Sequence, residues 1–172
     1  MAIPSRAARP GTFFVTTATY NRRRLFQVPA NAELFFETMQ HYRRELHYKL
    51  HAFVVMPDHV HLILTPQATT LERAVGLIKG GFSHRLAFSF PVWQRGFTDH
   101  RIRDADDLAT RRAYLHNNPV RANICASPEL YLYSSAYVSP AAASIPCQDP
   151  SSLQIASSTS KSITSTPELT GR

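Results

Sequence analysis

Cysteine is nearly absent from this chain of 172 residues: there are two, Cys125 and Cys147, and neither sits in a metal-ligand spacing. That excludes a disulfide framework and fits a reducing compartment. Long apolar runs are missing as well. No stretch approaches the roughly 20 residues needed to cross a bilayer, and MAIPSRAARPGTFF at the N-terminus has no signal-peptide core before Phe13. The expectation is a cytoplasmic protein with no membrane partner. Aromatics are absent from Val138 to Arg172, where Ser, Thr, Pro and Ala dominate. Such a stretch cannot bury enough apolar surface to offset its ordering entropy. We therefore expect one domain over 1–137 and a disordered tail over 138–172.

Lysine is scarce too, and this turns the argument to what is present. Of 19 cationic side chains 16 are Arg, and the net charge is +7. The two positive and two negative side chains of 138–172 cancel, so the whole excess lies in 1–137. Arg makes planar, bidentate contacts to phosphate, and a basic domain suggests a polyanionic partner. A hydrophobic fraction of 44%, with 10 Phe and 7 Tyr, is enough for a real core at this length.

The β-branched and aromatic run TFFVTTATY at 12–20 predicts a strand, followed by a basic loop at Asn21-Arg22-Arg23-Arg24. Leu34, Phe35, Met39, Tyr42 and Leu46 recur at helical spacing and predict a helix over 31–47. LHAFVVM at 50–56 and HVHLILT at 59–65 predict a hairpin turned by Pro57-Asp58. Thr70 is placed to cap a helix from Leu71 to about Phe88. Residues 92–103 read as extended and irregular, and Asp104 is placed to cap a last helix that Pro119 stops after Asn118. The first six elements spell βαββαβ, an α+β ferredoxin-like antiparallel sheet with helices on one face and the last helix added to it.

His59 and His61 fall on the same face of their strand, opposite Val60, Leu62 and Leu64. One face would then pack helices while the other opens with two imidazoles, close enough to share one divalent cation. On the last helix Asp107, Arg111, Tyr114 and Asn118 fall at i, i+4, i+7 and i+11, a polar stripe in which a Tyr is out of place as a core residue. A phenol is a competent nucleophile toward phosphorus. Arg also interleaves with aromatics: Tyr20 with Arg22, Arg23 and Arg24, then Trp93, Arg95, Phe97, His100, Arg101 and Arg103. Arg holds phosphates and aromatics stack on unpaired bases, which favours single-stranded or hairpin nucleic acid.

HAFVVMPDHVHLILTP resembles the metal-binding hairpin of HUH single-strand endonucleases. With FFVTTATYNRRRLF at 13–26, VWQRGFTDHRIRD at 92–104 and RRAYLHNNPVRANIC at 111–125, the chain is similar to the REP-associated tyrosine transposases and the single-tyrosine transposases of small insertion sequences. The resemblance covers about residues 10–137. It implies metal-dependent nicking and strand transfer on single-stranded or hairpin, REP-like DNA in the course of DNA transposition. Tyr114 would be the nucleophile, forming a 5′-phosphotyrosine and freeing a 3′-OH. His59 and His61 would hold Mg²⁺ or Mn²⁺, and Asn118, one turn after Tyr114, would be the third ligand in preference to His116. Gly11 and Thr12, in Arg9-Pro10-Gly11-Thr12, occupy the place where the REP-associated branch reads bases. Lys79 and Arg85 are further DNA contacts. Insertion-sequence relatives act as dimers and REP-associated ones can act alone, so monomer and homodimer both remain open, and the connection before the last helix decides between them. Two other readings stand beside the nucleoid-associated enzyme: a non-catalytic hairpin-binding protein on the same fold, and an RNA-binding ferredoxin-like module. The histidines on the sheet face argue against the second.

Overall fold

The computed structural model describes residues 10–67 and 69–139. Alternation along the sequence becomes alternation across a sheet. In β1 (Phe13–Ala18), Phe13 and Val15 enter one core while Phe14 enters another on the opposite face. β2 (Tyr48–Met56) and β3 (His59–Pro66) form the expected hairpin, with a bulge between Leu50 and Ala52. β4 (Thr98–Arg101) pairs with the free side of β1 and completes a four-stranded antiparallel sheet in the order β2-β3-β1-β4. The expected α+β fold is the one the chain adopts.

Two helices cover the face that carries Val60, Leu62 and Leu64. In α1 (Pro29–Arg44), Pro29 stands at the first helical position, where its missing N–H costs nothing. The helix ends three residues earlier than its apolar spacing suggests. His47 N donates to Tyr42 O and Leu46 N to Arg43 O, a paired closure that puts Leu46 in the left-handed region at φ 60° and turns its side chain to solvent. Leu34, Phe35, Met39 and Tyr42 do pack inward. In α2 (Leu71–Leu86), the Thr70 hydroxyl accepts from Arg73 N at 3.2 Å, as the capping signal predicts. Leu71, Ala74, Val75, Ile78 and Phe82 line its buried side. The helices touch closely at Gly81, where an added Cβ would lie 2.7 Å from the Tyr42 ring. Phe26, Phe35, Phe82 and Trp93 interlock at ring separations of 5.3–5.9 Å beneath them.

The other face is not open. α3 (Ala105–His116) lies across it, capped by Asp104, whose carboxylate accepts from Asp107 N at 2.8 Å. Its Leu115 is fully buried with Phe14, Ala52, Val54, Met56 and Ile63. Helices therefore cover both faces, and the expectation of an open imidazole face is corrected. Nor does Pro119 stop a helix at Asn118. α3 ends at His116, and Pro119 sits in the first turn of a four-residue helix, α4 (Asn118–Arg121), where proline is well suited. The chain then returns along the outer edge of β2: Val55 N donates to Tyr133 O and Ser135 N to Phe53 O, covering a strand edge that would otherwise be unpaired. Contacts divide the chain into Met1–Val138 and Ser139–Arg172. The tail expected from 138 lies, beyond Ser139, outside the described residues, as do Arg9 and Cys147.

Candidate active site

β3 is an inner strand, and its register fixes what surrounds its two histidines. His61 lies opposite Thr16 of β1 and Val54 of β2, and His59 lies opposite Ala18 and Met56. The two imidazole rings stand 4.8 Å apart and nearly perpendicular. Each is held by its Nδ1: His59 on the Asp58 carboxylate at 2.6 Å, His61 on the Thr16 hydroxyl at 2.8 Å. Metal-bound histidines are commonly held in this way through one ring nitrogen. His61 is only 5% exposed. Burial first, then the neighbouring His59, push its pKa down to about 4, against the opposing hydrogen bond to the Asn118 carboxamide oxygen. It is therefore neutral near pH 7, the form that ligates metals.

The stripe read on α3 does face this cluster. The Tyr114 ring lies 5.9 Å from the His61 ring and 6.0 Å from Phe14, while Phe14 stacks on His61 at 5.3 Å. Tyr114 remains 40% exposed, so a substrate can reach it. The Arg121 guanidinium lies 5.2 Å from its ring centroid. Asn118 Nδ2 donates to Tyr114 O at 2.9 Å, which leaves the carboxamide oxygen to its bond with His61. His116 bonds Ser135 at 2.9 Å instead.

Asp107 fastens this helix to the sheet. Its buried carboxylate accepts from His100 Nε2 at 2.9 Å, Arg103 N at 3.1 Å and Arg111 Nε at 3.4 Å. The His100 hydrogen bond, followed by those of Arg103, holds its pKa well below the usual carboxylate range, although burial pushes the other way.

Among the described residues no three His, Cys, Asp or Glu side chains form a metal cluster. His59, His61 and Asn118 bring two imidazoles and one amide oxygen to this end of the sheet. Two neutral imidazoles beside one oxygen would suit Mn²⁺, which takes nitrogen ligands, better than Mg²⁺, which keeps to oxygen.

The residues singled out for DNA divide in two. Arg22 pairs with Asp58 at 3.6 Å and so adjoins His59. Arg23 and Arg24 belong to the same turn, and Arg95 is exposed near Gly96. Arg101 lies over Gly11, whose added Cβ would meet its Nε at 2.9 Å, and donates to Pro10 O at 2.9 Å. Thr12 bonds Thr65 hydroxyl to hydroxyl at 2.8 Å, and Arg103 joins Asp107. Lys79 and Arg85 instead lie on α2, behind the sheet. Lys79 donates to Gln94 O and Gly96 O, and Arg85 pairs with Glu37 at 2.7 Å. Sequence reasoning missed Phe14, Thr16, Asp58 and Arg121. Asp58 stood next to the histidines in sequence, whereas Phe14 and Thr16 are found only through strand register.

Residues 12–118 match the family model of the IS200-like transposases. A REP-associated tyrosine transposase of Escherichia coli K12 is 28% identical over 113 residues, 64% of this chain and 67% of that protein. A solved REP-associated tyrosine transposase bound to a REP hairpin superposes with a TM-score of 0.68 at 25% identity, over 78% of this chain and 82% of the other. The match takes in all four strands, the first three helices and Asn118, and with them His59, His61 and Tyr114: the chain belongs to the IS200-like transposase family.

Proposed function

We propose that this chain nicks and rejoins single-stranded or hairpin DNA through Tyr114, with a divalent cation held by His59, His61 and Asn118. The observation that carries the reading is the 5.9 Å between the Tyr114 and His61 rings within one chain. On this reading nucleophile and metal donors belong to a single subunit, and a monomer would suffice. Membership of a transposase family supports DNA cleavage in general, and the neighbour bound to a REP hairpin supports hairpin DNA as the partner. Such a substrate places the work at the nucleoid. Among the described residues no helix is long and apolar enough to cross a membrane.

Mn²⁺ or Mg²⁺ at these donors would withdraw electron density from a non-bridging phosphate oxygen. Tyr114 supplies the attacking oxygen. Its bond to phosphorus forms as the bond to O3′ breaks, the phenolic proton is given up, and the departing oxygen leaves as a 3′-OH. Arg121 offers a fixed positive charge beside the ring during this transfer. Phe14 holds Tyr114 and His61 in register by contact with both rings. The phosphotyrosine keeps the ester bond, so a different 3′-OH can reverse the step and join new ends.

The test uses a labelled single-stranded REP-like hairpin incubated with wild type or Tyr114→Phe, in Mn²⁺ or EDTA, and run on a denaturing protein gel. A covalent protein–DNA band that needs both Tyr114 and the metal is expected. Salt-sensitive binding without any band, across several hairpins, would replace this reading with that of a non-catalytic binder.

A further inference from the structure

The end of the sheet that carries His59 also carries a cluster of aromatics that neither core absorbs. Phe88 is 40% exposed, Phe90 47% and Tyr20 41%. They are brought together because residues 92–94 run back along the end of β1: Tyr20 N donates to Val92 O, Gln94 N to Ala18 O, and Thr19 bridges Trp93. Between them lies Arg23. Its guanidinium is 4.2 Å from the Phe90 centroid and 5.8 Å from that of Tyr20, and Phe88 adjoins Phe90 at 5.0 Å.

Arg23 is not a loose surface cation. It donates to Tyr20 O and Pro91 O, so main-chain carbonyls fix the plane of the guanidinium. Packed on the Phe90 ring, it extends the flat surface that the exposed aromatics present. The turn beside it holds two consecutive non-glycine residues in the left-handed region, Asn21 at φ 53° and Arg22 at φ 52°. Such conformations are disfavoured for residues other than glycine and gather at functional sites. The turn joins the cluster to the candidate active site, since Arg22 pairs with Asp58, which in turn holds His59. Arg22 and Arg24 add exposed positive charge at its rim.

We infer that Tyr20, Arg23, Phe88 and Phe90 form a stacking platform for unpaired nucleotides, and that it holds the single strand flanking a hairpin on its way to Tyr114. The inference rests on the DNA reading above and adds to it a place for the flank. Flat aromatic and guanidinium faces with phosphate-binding cations at the rim fit bases of any identity. An apolar protein partner would not call for the cations, and a paired duplex would not offer free base faces.

The test measures fluorescence anisotropy with a blunt DNA hairpin and with the same hairpin carrying six unpaired thymidines on its 5′ or 3′ side. Wild type should bind one of the flanked probes about tenfold more tightly than the blunt one, from stacking of one or two bases. Phe88→Ala/Phe90→Ala should lose that advantage while still binding the blunt probe, and Phe88→Tyr/Phe90→Tyr should keep it. Thermal melts confirm that both variants fold. Equal wild-type affinity for blunt and flanked probes would overturn the inference, and so would an advantage that survives the double alanine change. Adduct formation is scored separately. A flank preference without adduct would sink the catalytic reading and spare the platform, and an adduct without flank preference would do the reverse. If wild type binds neither probe, both fall.

Discussion

Thr16→Val removes one oxygen from the site and almost no volume. The Thr16 hydroxyl bonds His61 Nδ1 at 2.8 Å, and the β1–β3 register puts it directly opposite that residue. With His61 5% exposed, water cannot easily take its place. Leaving a buried nitrogen unpaired costs about 1–3 kcal/mol, and β-branched valine otherwise suits a strand. Urea denaturation should therefore show a loss near the low end of that range. The larger effect falls on the metal. A partner that fixes the tautomer and orientation of a ligating histidine is worth about 10–100-fold in metal affinity, equivalent to about 1.4–2.7 kcal/mol. The assay is adduct yield against Mn²⁺ concentration. The midpoint should rise by one to two decades in Thr16→Val (a range carried over from such partners) and return in Thr16→Ser. A variant that is less stable but keeps the wild-type midpoint would refute the reasoning, since Thr16 would then serve the fold alone.

Three further outcomes concern the scaffold. Among the described residues, Thr17 Oγ1 is the buried side-chain atom with no hydrogen-bond partner, so Thr17→Val should stabilise the chain by about 1 kcal/mol in urea. Leu46→Gly should also stabilise it, by up to about 1 kcal/mol, because glycine accepts the left-handed closure of α1 without strain and an exposed leucine is removed. Asp107 has a folded-state pKa well below its ordinary value, so its contribution is present above about pH 4 and is lost as pH falls through the folded pKa. Asp107→Asn should flatten the acid limb of the stability profile followed by circular dichroism. An unchanged limb would mean that the clamp contributes nothing.

The parts of this fold that could be read from sequence are those written in local chemistry. Thr70 and Asp104 announced their helices by capping, and both caps are made. The HVHLILT alternation assigned the faces of β3 correctly, and the polar stripe of α3 does point at the histidines. What escaped was long-range. The extended reading of 92–103 left the bounds of the last strand open: β4 is four residues, Thr-Asp-His-Arg, with no apolar alternation to mark it, and β1 on one side is its only strand partner. The covering of the imidazole face by α3 depends on Leu115, whose partners Phe14, Ala52, Val54, Met56 and Ile63 lie far away in sequence, whereas the Asp107 clamp reaches only as far back as His100. Lys79 and Arg85 read as DNA contacts, and the carbonyl and carboxylate partners they have within the chain lie 15 to 48 residues away.

Only Ile102, Arg103 and Asp104 separate β4 from α3. A linker that short spans at most about 14 Å even when fully stretched, and Asp107 cinches it further. On the proposed chemistry, Tyr114 cannot be lent to a neighbouring copy without melting the strand before it. Each molecule then has one phenol and can carry one severed 5′ end at a time. Two cuts would have to be made in turn, with the first end passed on before the second is taken. Sequence in time, set by how quickly a new 3′-OH arrives, would govern the outcome, where an exchange of helices between subunits could have let two ends be handled together.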